Sequence, residues 1–112
     1  MEEVQAKLKD LKDRFQQISS QMDRESLRKE IRELEAETMK EGFWNDPSQS
    51  QAVSRQLSDR QKTLSTLENL ESRISNALEI SQELSMMEDL QKETKEIEEI
   101  LDKFELKLFL SN

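Results

Sequence analysis

Glu41-Gly42-Phe43-Trp44-Asn45-Asp46-Pro47 holds the only glycine, the only proline and the only tryptophan in 112 residues. The rest of the chain is helix-forming and heavily charged, so this is where it must turn. Gly42 can take the left-handed conformation that closes a helix at its C′ position. Pro47 lacks a backbone donor but is pre-set for the first position of a new helix. Asp46 reads as its N-cap, with Gln49 at N3 in a capping-box-like Asp-x-x-Gln. Phe43 and Trp44 fall between the stop and the start. The stretch reads as a structural corner of Gly42, Phe43, Trp44, Asp46 and Pro47, with the bulky aromatics plugging one end of a helix bundle.

Around that corner, Ala, Glu, Lys, Leu and Arg supply about half of the residues, the composition of long helices and coiled coils. Apolar residues make up 33% and charged residues 38%, with a net charge of −8, so a thick globular core is not expected. Leu, Ile, Val and Phe are nonetheless too frequent and too regularly spaced for a disordered chain. With no cysteine and no histidine, disulfides, Cys/His zinc sites, thiol catalysis and histidine acid–base chemistry are excluded within this chain. No apolar run approaches a membrane span, and Met1-Glu2-Glu3 does not open a signal peptide. A cytoplasmic protein without membrane contact is expected. The acidic balance argues against indiscriminate nucleic-acid binding, which depends on neutralising phosphate.

Hydrophobic spacing predicts helices over about 2–22, 24–41, 47–84 and 87–109. Val4, Leu8, Leu11, Phe15, Ile18 and Met22 recur in alternating steps of four and three, a heptad seam. Leu27, Ile31, Leu34 and Thr38 continue it out of phase, which predicts a break or kink near Ser19–Asp23. After the corner, Val53, Leu57, Leu64, Leu67, Ile74 and Leu78 form the next seam, flanked by Leu70, Ala77 and Ile80 and interrupted by Arg60 and Glu71. Ser85 and Glu88 match a capping box and predict a turn at about 84–87. Leu90, Thr94, Ile97, Leu101, Phe104 and Leu108 form the last seam. Such stripes joined by short turns predict one all-α domain over residues 1–112, an antiparallel three- to four-helix bundle with coiled-coil-like heptad packing. Leu106, Leu108, Phe109 and Leu110 make the end apolar on more than one face, which suggests a cut at a domain boundary.

No catalytic constellation emerges. Acidic pairs such as Glu98–Glu99 read as solvated helix faces, one glycine cannot build a phosphate loop, and no Ser-His-acid triad is possible. No enzyme activity, cofactor or metal is expected of the chain. Arg24, Arg28 and Arg32 line one helix face at i, i+4 and i+8, a candidate contact face for RNA phosphate or an acidic partner. A surface stripe balanced by Glu25, Glu30, Glu33 and Glu35 is the simpler reading.

Phe43-Trp44-Asn45-Asp46-Pro47, after the helix end Leu34-Glu35-Ala36-Glu37, resembles the Phe-Trp-(Asp/Asn)-Asp/Glu-Pro junction in the N-terminal domain of the bacterial peptide chain release factor 2 family. The long segment that follows and the ending Phe104-Glu105-Leu106-Lys107-Leu108-Phe109-Leu110-Ser111 resemble the same family, whose chains continue into a central superdomain. The likeness runs over nearly the whole chain, with its specificity in the corner and the ending. It implies translation termination at UGA and UAA, with this segment docking on the ribosome. The implied partners are the large-subunit stalk base in the region of ribosomal protein L11, the class II release factor GTPase and the remaining domains of the full-length factor. The family's Ser-Pro-Phe codon-reading tripeptide and Gly-Gly-Gln hydrolysis loop have no counterpart here, since the lone proline sits in Asp46-Pro47-Ser48 and no two glycines adjoin. The resemblance predicts a monomeric bundle whose tip is held by Trp44. The alternative is a self-associating coiled-coil scaffold that uses the same stripes between molecules.

Overall fold

Capping and phase, more than propensity, decide where each helix starts and stops. The computed structural model describes residues 2–83 and 86–111, which form four α-helices and one 3-10 turn, with no strand among them. They are α1 (Glu2–Gln21), α2 (Arg24–Thr38), the 3-10 turn Phe43–Asn45, α3 (Pro47–Ile80) and α4 (Met87–Leu110). The break predicted near Ser19–Asp23 is present. Asp23 leaves the helical region at φ −79° and ψ 103°, and its carboxylate accepts from the amides of Glu25 and Ser26. That cap satisfies two donors at the start of α2 that have no intrahelical partner.

Two helix ends come earlier than the spacing suggests. α2 stops at Thr38 rather than near residue 41, because Met39 and Lys40 bond to the carbonyls of Ala36 and Glu37 in i→i+3 fashion and tighten the final turn. α3 stops at Ile80 rather than 84. Leu84 and Ser85, including the expected Ser85–Glu88 capping box, lie outside the described residues. The helix after them starts from Met86, which makes no side-chain cap bond.

The chain divides into two compact units, residues 1–21 with 69–112 and residues 22–68, where the seams alone suggest one bundle. The first unit is a three-helix bundle of α1, α4 and the end of α3. Leu8, Leu11, Phe15 and Ile18 are buried in it, with Leu70, Ile74 and Ala77 of α3 and Leu90, Ile97, Leu101 and Phe104 of α4. Each fully buried leucine contributes about 1.5–3 kcal/mol. The buried hydroxyls stay paired: Thr94 donates to the Leu90 carbonyl and Ser81 to that of Leu78, while Gln5 donates to the Ser81 carbonyl.

Ion pairs fix the orientation of these helices. Lys7 pairs with Glu98, and Arg14 with Glu105 and Asp102, so a step of seven on α1 matches a step of seven on α4. The two helices therefore run parallel. With the seam residues at a and d, Lys7 and Arg14 occupy g and Glu98 and Glu105 occupy e, the charge pairing of a parallel coiled coil. α3 runs antiparallel to both: Arg73 reaches Glu93 and Glu96, while Gln5 near the start of α1 meets Ser81 just beyond α3. The hydrogen bonds that Arg14 donates to Glu105 and Asp102 raise its pKa further above the ordinary value, and the Arg73 guanidinium holds the Glu93 carboxyl below its own.

The second unit is a helical hairpin, α2 and the first part of α3 joined through the 3-10 turn. Arg28 lies 3.5 Å from Glu68 and Arg60 Nε lies 3.0 Å from Glu30, the pairing of antiparallel helices. Two helices can hide only a narrow stripe. Ile31, Phe43, Ser50 and Leu67 are buried, while Leu27, Leu34, Val53, Leu57 and Leu64 are half-buried. Arg60 sits in this seam and sends its head group out to Glu30, as its long stem permits. In the three-helix unit α3 has two neighbours, so its buried stripe widens to take in Leu70 and Ala77, which the spacing placed on the flank.

Candidate functional site

The corner of the hairpin is built by a short chain of backbone bonds. Phe43 N donates to the Lys40 carbonyl at 3.1 Å, and Asn45 N donates to the Gly42 carbonyl at 3.0 Å. Gly42 between them has φ +80°, the left-handed region that glycine enters without steric cost. It does not close α2 at C′. It lies beyond the i→i+3 turns and starts the 3-10 turn. Asp46 then caps α3 as its sequence suggests, its carboxylate accepting from the amides of Ser48 at 3.2 Å and Gln49 at 3.3 Å. Pro47 takes the first helical position, and Ser50 N donates to the Asp46 carbonyl at 2.9 Å.

The two aromatics of the corner part company. Phe43 is buried, 8% exposed, and anchors the turn. Trp44 is 66% exposed, so it does not hold the tip from inside as expected. The reason is the tight 3-10 turn, whose successive side chains point about 120° apart, so that only one of two neighbours can enter a two-helix interior. The rings meet edge to face at 4.8 Å and 89°, and Phe43 thereby steadies the exposed indole.

Sequence reasoning missed Met39, which is 83% exposed beside the same turn. The available signal was phase: Met39 adjoins Thr38 and falls off the Leu27-Ile31-Leu34-Thr38 stripe. The surroundings are acidic. Between Arg32 and Arg55 the charged residues are Glu33, Glu35, Glu37, Lys40, Glu41 and Asp46, and Lys40 is paired with Glu37 at 2.9 Å.

The arginine row of α2 is less uniform than its spacing suggests. Arg28 faces Glu68, Arg24 is half-buried and engaged, and Arg32 is exposed. A second exposed apolar group, Leu106, Phe109 and Leu110, lies at the end of α4. Among the described residues no carboxylate cluster is arranged to hold a metal ion, and no helix is long and apolar enough to cross a membrane.

Comparison with known proteins adds relatives to this geometry. The sequence model of the PCRF domain family matches residues 27–112. Peptide chain release factor 2 of Saccharopolyspora erythraea is 40% identical over 83 residues, covering 74% of this chain and 22% of that protein. The release factor 2 of Corynebacterium aurimucosum is 31% identical over 116 residues, covering 97% of this chain and 31% of that protein. That of Kosmotoga olearia is 29% identical over 118 residues, covering 98% and 31%. The chain thus spans 22% to 31% of the length of these curated relatives. No solved structure matches.

Proposed function

The chain belongs to the PCRF domain family, and we propose on that premise that it is the helical docking module of a class I peptide chain release factor acting in translation termination at UGA and UAA. The observation that carries the reading is the reach of the family match, which takes in most of the hairpin and continues through the end of α4. The relatives' shared description, peptide chain release factor 2, supports it. The module binds the ribosome at the large-subunit stalk base, in the region of ribosomal protein L11, in the cytoplasm. The class II release factor GTPase is a further partner. Codon reading and peptidyl-tRNA hydrolysis belong to the remaining domains of the full-length factor.

The hairpin corner supports a docking role, because it presents large apolar side chains on a braced turn. The arginine row contributes less, since Arg24 and Arg28 are engaged within the protein. The competing scaffold reading needs free heptad seams. Leu8, Leu11, Ile97 and Leu101 are fully buried within one molecule, which leaves those seams occupied.

Co-sedimentation of the chain with purified bacterial ribosomes tests the proposal. Saturable pelleting that full-length release factor 2 of Saccharopolyspora erythraea displaces is the expected result. Absence of pelleting, or pelleting indifferent to that competitor, contradicts it.

A further inference from the structure

We propose that Trp44 and Met39 together form an apolar anchor that seats in a basic-rimmed apolar socket on a protein of the ribosome, and not on ribosomal RNA. The inference rests on the docking role above and assigns it to particular side chains.

Exposure comes first. Trp44 and Met39 are 66% and 83% exposed, and neither is needed by the stripe that joins α2 to α3. Tryptophan dominates the residues that carry binding energy in protein interfaces, and methionine adapts its shape to a partner's surface. Trp44 is also held in advance. Phe43 is rooted in the hairpin and meets the indole edge-on at 4.8 Å, and the backbone on either side is fixed by the Asn45–Gly42 bond and the Asp46 cap. An anchor fixed beforehand loses little freedom when it docks.

Charge selects the partner. Between Arg32 and Arg55 the chain around the corner carries five carboxylates against one lysine, and that lysine is already paired with Glu37. A nucleic-acid contact is driven by cations that neutralise phosphate, and stacking a base on Trp44 would bring phosphates beside Glu41 and Asp46. A protein socket with an apolar floor and a Lys or Arg rim complements both the indole and the carboxylates around it.

The test measures the affinity of the chain for purified large ribosomal subunits and for protein-free large-subunit RNA. Trp44→Ala, Trp44→Phe, Met39→Ala, Glu41→Lys and Lys9→Ala are compared after circular dichroism and melting confirm that each is folded. Wild type is expected to bind subunits and not the bare RNA. Trp44→Ala weakens binding by roughly 30-fold or more, the loss typical of an interface hot spot. Trp44→Phe recovers part of it, Met39→Ala and Glu41→Lys weaken it less, and Lys9→Ala, on the exposed face of α1, leaves it unchanged. Undiminished binding by folded Trp44→Ala overturns the anchor while leaving the docking role standing. Equal binding to bare RNA overturns the choice of a protein partner. If wild type binds no ribosomal particle, the docking role fails and takes the anchor with it.

Discussion

Phe43 and Trp44 are adjacent in sequence and touch edge to face, yet the first is buried and the second lies open to solvent. Stability should therefore separate them. Phe43→Ala empties a filled site and is expected to destabilise by about 3–5 kcal/mol. Trp44→Ala gives up little more than the edge-on contact, about 1 kcal/mol. Urea unfolding followed by circular dichroism measures both, and equal losses would show that the indole is packed after all.

Gly42 adopts φ +80°, and a side chain there would meet nothing closer than Asn45 Nδ2 at 3.5 Å. Space is available, so the penalty is conformational. Gly42→Ala is expected to destabilise by about 1–2 kcal/mol, and Gly42→Asn by less, because asparagine tolerates the left-handed region. A neutral Gly42→Ala variant would mean that the turn relaxes to another conformation.

Much of this architecture was legible from spacing and caps. The heptad steps in α1 and α4 locate their buried faces, the five-residue step from Met22 to Leu27 marks the break that Asp23 caps, and Asp46-Pro47 marks the start of α3. What spacing does not give is the identity of the neighbour. It shows one face of α3 as apolar but not that two helices flank its second part and one its first, so Leu70 and Ala77 look peripheral and the division at Glu68–Asn69 is invisible. The corner shows the same limit: residue type marks Trp44 as bulky and apolar, but the pitch of a 3-10 turn decides that Phe43 faces inward.

Acid sensitivity follows from two carboxylates. Arg73 holds Glu93 below its ordinary pKa, and the backbone amide and hydroxyl of Ser26 do the same for Asp23. The unfolded chain therefore takes up these protons first as the pH falls. Their stabilisation is present above the ordinary carboxyl range and is lost as the pH drops through the lowered folded values. Arg73 is shifted upward, so its share is lost only on the far alkaline side. Between about pH 7 and pH 3, wild type should lose more stability than the Arg73→Gln, Asp23→Asn double variant, since asparagine keeps the cap but binds no proton. Parallel curves in urea titrations would contradict this assignment.

The pairing of Lys7 with Glu98 at g and e positions makes a charge reversal informative. Lys7→Glu should destabilise, and adding Glu98→Lys should restore part of the loss. The coupling is expected to be about 0.2–1 kcal/mol because both groups are partly in water. A double-mutant cycle by thermal melting reads it, and zero coupling would argue against the parallel register of α1 and α4.

Trp44 is the only tryptophan in the chain, so its emission reports the corner alone. Titration of the chain with bacterial large ribosomal subunits, with the subunits' own signal subtracted, should give a saturable blue shift as the indole leaves water. An emission spectrum unchanged at subunit concentrations that pellet the chain would contradict docking through this corner.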